Sequence, residues 1–180
     1  MFMINADKQA TGNFISDPAT ASHAKPTDLE TKVMQEIVEA VNRAIADGFA
    51  LYEKTKKFYL NPAGSHNRDY KLLFDEQAEE IFASMDTLAE QVRQTGATPL
   101  RSISHSGELQ SVENYSGDFL SPGEMIEELI ADNQQIAASL RVAAMICEKM
   151  REAPLGIILQ DILDKTERRI RLLGEAEVKI

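Results

Sequence analysis

Four long runs of apolar residues recurring at three- and four-residue intervals constrain this chain's fold more than any other feature. Leu29, Val33, Ile37, Val41, Ala44, Ile45, Phe49 and Tyr52 make the first. Leu72, Leu73, Ile81, Met85, Leu88 and Val92 make the second, between about Ser65 and Thr95. The third carries Ile126, Leu129, Ile130, Ile136, Ala137, Leu140, Ala144 and Cys147 and reaches about Met150. The fourth carries Leu155, Ile158, Leu159, Ile162, Leu163, Ile170 and Leu173 and ends at Gly174. That spacing gathers each set onto one face of an α-helix, because successive side chains turn by about 100°. No segment alternates with the period of a strand, so the chain is expected to be all-α.

Local signals punctuate these stripes. Thr27-Asp28-Leu29-Glu30 reads as a capping box opening the first helix, and Asn61-Pro62-Ala63-Gly64 closes it. Gly96 is placed as the C-cap of the second helix. Ser121-Pro122-Gly123-Glu124 is a second capping box, with proline at the first helical position. Ala153-Pro154 separates the last two helices. Residues 97–120 form a long connection with room for a short helix near Gly107–Tyr115. Short links after the first and third helices, and a long one between the second and third, describe a four-helix bundle with one crossover. Residues 1–26, poor in large apolar groups, are expected to be an arm, and residues 27–176 the domain.

Composition narrows the functional classes. No apolar run approaches the ~20 residues of a membrane helix, and Met1-Phe2-Met3-Ile4-Asn5 lacks a basic leader pattern. Cys147 is the single cysteine, which excludes an intrachain disulfide and fits a reducing, cytoplasmic setting. The net charge is −10, and residues 1–27 hold only Lys8 and Lys25 against Asp7 and Asp17. Such a balance disfavours DNA as a partner and favours cations.

A carboxylate stripe lies on the second helix. Lys71, Asp75, Asp86 and Glu90 fall at about 0°, 40°, 60° and 100° around the axis. Asp75 and Asp86 stand about 16 Å apart along it, so one helix cannot bring both to one metal. Two antiparallel copies crossing at a two-fold axis could unite them, and carboxylate oxygens suit iron and other hard cations. The same residues also fit an ordinary solvated face, since Glu76, Glu79 and Glu80 share the helix. His66, His105 and His23 share no helix face and form no metal pair, the Glu-x-x-His pair of di-iron bundles is absent, and no phosphate loop or catalytic triad is evident.

The stretch Thr55–Glu90 resembles the Dps family of ferritin-like mini-ferritins without gaps. Lys54-Thr55-Lys56, Asn61 and Gly64 are similar to the end of that family's first helix and its following turn. Met85-Asp86-Thr87-Leu88-Ala89-Glu90, followed by Gly96 and Pro99, resembles its second-helix signature. Asp132-Asn133 and Thr166-Glu167-Arg168-Arg169-Ile170 extend the likeness to about residues 27–175. The resemblance implies a ferritin-like bundle assembled as a hollow dodecamer that oxidises ferrous iron, usually with peroxide, and stores it. It places Asp75, Asp86 and Glu90 at the family's carboxylate ligands, between two-fold-related subunits. Tyr59 and Lys71 stand where the family has histidines, Leu60 where it has tryptophan, Gln91 where it has arginine, and Arg171 where an aromatic is common.

These departures change the chemistry. A lysine among carboxylates is held as an ammonium, which has no lone pair for Fe(II), whereas neutral imidazole has one. Three expectations follow. The first is an iron-storing cage that protects against oxidative stress, with ferroxidase activity weak or lost. The second is a non-catalytic cage or interaction protein with a Lys71–carboxylate salt bridge in place of metal. The third is a peroxide-dependent ferroxidase using Tyr59 as phenolate with the carboxylates.

Overall fold

The computed structural model describes residues 28–60, 67–100, 102–115, 117 and 120–177. Five helices follow in order: α1 (Asp28–Leu60), α2 (Asn67–Gln94), α3 (Ile103–Leu109), α4 (Pro122–Met150) and α5 (Ala153–Glu177). Among the described residues there is no strand. The 1–26 arm, Thr27 of the first capping box and the 61–64 turn lie outside the described residues.

Two helical hairpins build the bundle. α1 packs on α2 and α4 on α5, and the pairs join through α1 with α4 and α2 with α5. Ile37, Val41, Ile45 and Leu51 of α1, Phe74, Ile81, Met85 and Leu88 of α2, Ile126, Leu129, Ile136 and Leu140 of α4, and Leu159, Ile162 and Leu173 of α5 make one core. Leu72, expected inside, is 61% exposed instead. It lies two residues before the buried Phe74, about 160° around the helix, so both cannot face the core. Gly48 permits a close α1–α2 approach: a Cβ there would fall 2.0 Å from the Met85 sulfur.

Ser121 and Glu124 form the expected capping box, their side chains reciprocally bonding backbone N–H groups. The break after α4 comes earlier than its proline. Arg151 adopts left-handed backbone (φ 59°) and donates its N–H to the Cys147 and Glu148 carbonyls. Pro154 instead sits in the first turn of α5, where its missing N–H costs nothing. α5 continues past Gly174, expected as its end, because that glycine keeps helical backbone; among described glycines only Gly96 has positive φ, at 81°.

The long connection contains the expected short helix, displaced toward its start. Ser102 caps α3 by accepting from the His105 N–H at 3.1 Å. The expected continuation to Tyr115 fails because Asp47 of α1 captures the backbone. Its Oδ1 accepts from Ser111 N–H and, at 3.0 Å, from Val112 N–H. Those donors are then lost to a helix. Gln135 of α4 donates to the Ser111 hydroxyl at 2.8 Å, pinning the crossover to both hairpins.

Candidate functional site

α1 and α2 run as a hairpin, which sets the last turns of α1 against the first turns of α2. Tyr59 is thereby brought beside Lys71, whose Nζ lies 5.9 Å from the ring centroid. A second ammonium joins them: Lys56 Nζ lies 5.6 Å from the same ring. Lys56 also reaches Asp75 Oδ1 at 2.7 Å and Glu79 Oε1 at 3.1 Å. These hydrogen bonds, Asp75's above all, hold its ammonium well above the ordinary lysine range.

Of the sequence-predicted residues, the single chain therefore gathers Tyr59, Lys71 and Asp75. Asp86 and Glu90 point to solvent farther along α2 with no ion pair among the described residues. Lys71 likewise forms no ion pair among them. Lys56 was missed by the stripe analysis, which followed α2 alone. Its signal was its position three residues before Tyr59, on the same face of α1.

Apolar groups share this outward surface. Leu72 and Phe82 (46% exposed) lie on the α2 face that carries Asp75, Glu79, Asp86 and Glu90. Phe82 packs against Tyr52 and Phe49 of α1, with centroids 5.4 and 6.2 Å apart. Beside them lies a groove of about 570 Å³ that reaches Leu100, Gln110 and Asn114 of the crossover. Phe82 and Leu72 are thus exposed apolar groups set among the carboxylates of this face.

Inside the bundle, where carboxylate bundle proteins place paired metals, this chain places its own cations. Lys54 of α1, 4% exposed, pairs with Asp132 at 2.6 Å and Glu128 at 3.3 Å. Burial pushes the Asp132 carboxyl above its usual range, and the Lys54 ammonium opposes that shift. Arg169, 1% exposed, binds Glu80 at 3.1 Å, Asn133 at 3.0 Å and Thr166 at 2.8 Å. The Asp132-Asn133 and Thr166–Ile170 segments thus meet as one buried polar network. Among the described residues no three His, Cys, Asp or Glu side chains could together hold a metal.

Comparisons with known proteins bear on this frame. The ferritin-like domain family matches residues 38–179. A low temperature-induced protein of Nostoc sp. is 30% identical over 107 residues, 59% of this chain and 60% of its own length. The chain thus spans about three-fifths of that relative. The DNA protection during starvation protein of Brevibacillus brevis is 26% identical over 145 residues, 81% of this chain and 97% of its own. Dps from Thermosynechococcus elongatus superposes with a TM-score of 0.78 at 26% identity, over 81% of this chain and 92% of its own. With its five helices, crossover and core accounted for, the chain belongs to the ferritin-like family, as a member of its Dps branch.

Proposed function

We propose that this chain is a subunit of a hollow iron-storage cage of twelve copies, in which lysine–carboxylate pairs have replaced the metal at the inter-subunit site. One observation carries the reading: Lys56 binds Asp75 and Glu79 within the chain, so a candidate ligand already holds a cation. Lys71 then remains on the outward face, as do the exposed Asp86 and Glu90, about 22 and 28 Å away along the helix. A two-fold-related copy brings Lys71 of one chain to Asp86 or Glu90 of the other, neutralising both halves. A tethered ammonium loses less entropy on pairing than a captured ion, so ferrous iron competes poorly there. Iron is cargo of the cage interior, taken up and held where ferric mineral causes no oxidative damage.

Ferrous oxidation followed optically, with and without peroxide, tests the absence of chemistry at this site. Iron content after anaerobic loading tests storage. The expected outcome is slow oxidation near the protein-free rate, together with retained iron. Rapid peroxide-dependent oxidation that is lost in Tyr59→Phe would replace this reading with an active ferroxidase. No retained iron would leave a non-storing cage.

A further inference from the structure

At the end of the bundle where α1 begins and α2 ends, a cavity of about 920 Å³ opens between α1, the turn after α2, and α3. It lies in the first half of α1, away from Tyr59 and Lys71, and shares no residue with their site. Two rows of α1 side chains line it. Met34, Val38 and Asn42 repeat every four residues and stack along one face, and Glu39 and Arg43 form the neighbouring row. Asn42 is 8% exposed. Its Nδ2 donates to the Thr98 carbonyl at 3.3 Å, which fixes the amide's orientation, because a flipped amide would set oxygen against oxygen. The Oδ1 is left buried with no hydrogen-bond donor among the described residues. A buried acceptor in that state costs stability that an entering donor would recover. Glu39 and Arg43 are both exposed. A glutamate four residues before an arginine is the spacing that pairs on a helix. Among the described residues, however, no ion pair holds either one.

We propose that this cavity binds a free α-amino acid with a large apolar side chain. Its ammonium donates to Glu39 and to the Asn42 Oδ1, its carboxylate lies on Arg43, and its side chain rests against Met34, Val38 and Leu109. Three features choose this ligand. Opposite charges stand side by side on one helix, so a ligand of one sign meets repulsion from the other, whereas a zwitterion satisfies both. An ammonium carries three N–H donors, enough for a carboxylate and an amide oxygen three residues apart on one face. The half-buried Met34, Val38 and Leu109 supply an apolar wall, the usual make-up of a small-molecule pocket with a few polar groups that fix orientation.

Titration calorimetry on the full-length protein, with L-phenylalanine as the probe, tests this. Saturable binding with Kd of about 1 mM or tighter is expected. Glycine, which lacks the side chain, 3-phenylpropanoate, which lacks the ammonium, and 2-phenylethylamine, which lacks the carboxylate, should each bind at least about tenfold more weakly. Arg43→Ala and Glu39→Gln, both at exposed positions, should weaken L-phenylalanine binding to a similar extent with helicity unchanged by circular dichroism. Asn42→Ala would also remove the bond to Thr98, so its acceptor is tested from the ligand side, through 3-phenylpropanoate. Hydrogen exchange should slow in residues 31–43 and 95–98 when L-phenylalanine is bound, and stay unchanged in α5. No saturation by about 10 mM overturns the proposal. So does undiminished binding in Arg43→Ala, equal binding of 3-phenylpropanoate, or protection confined to other helices.

Discussion

Lys56 and Lys71 stand 15 positions apart in sequence and flank one tyrosine in space, and their partners decide what that tyrosine's surroundings can bind. Restoring a lone-pair donor should therefore need both lysines changed. Lys71→His alone should raise ferrous binding only slightly, because Lys56 still holds Asp75. Lys71→His combined with Lys56→Ala should raise it by at least about tenfold, equivalent to about 1.4 kcal/mol. Anaerobic titration calorimetry would check this, and equal binding by the single and combined variants would count against Lys56 as the obstacle. Lys54 offers a second test, through pH. The folded pKa of Asp132 is raised, so the native state binds more protons than the unfolded chain above the unfolded value of about 4. Its contribution to stability is therefore present at low pH and lost as pH rises through the folded value. Lys54→Met removes the opposing ammonium and should steepen that loss. Urea unfolding at acid and neutral pH should show the variant losing more stability than wild type on going to neutral pH, and parallel profiles would refute it.

At the scale of elements, close packing and loop capture carry the argument. Gly48 lies against Met85 so tightly that Gly48→Ala must displace the thioether. The cost should be about 1–3 kcal/mol, less any gain in helix propensity. Thermal unfolding should show a lowered midpoint, and Gly48→Ala should cost less in a Met85→Ala background, where the clash is gone although the truncated methionine leaves its own cavity. Asp47→Ala should strand the Ser111 and Val112 amides, at about 1–3 kcal/mol. Faster hydrogen exchange at those two amides, with α4 protection retained, would be its signature.

At the scale of the whole molecule, charge and assembly are the testable properties. Twelve copies at −10 each would carry −120, against two lysines in residues 1–27. Several relatives are named for DNA protection or DNA binding, but the electrostatics of this chain oppose phosphate. A gel shift at about 150 mM salt should show no submicromolar binding. Light scattering at micromolar concentration should report a dodecamer, and a monomer, an isolated dimer or a 24-mer would overturn the assembly.

The helices and most of their buried faces were legible in the sequence, because burial against a core forces a period of 3.6 and capping chemistry is local. Ile37, Val41, Ile81, Leu88, Leu129 and Leu159 could be placed inside from spacing alone, and Ser121 with Glu124 at a helix start. Leu72 could not, since a stripe's edge depends on which neighbours pack against it. Nor could the extent of α3, which is set by a carboxylate 64 positions earlier in the chain. Tyr59, Lys71 and Asp75 could be named as candidates, but the ion pair that occupies Asp75 could not be foreseen. Whether Asp75 is open to a metal depends on Lys56, and that pairing exists only once the α1–α2 hairpin closes. Charges pair by distance in space, which no spacing along one helix encodes.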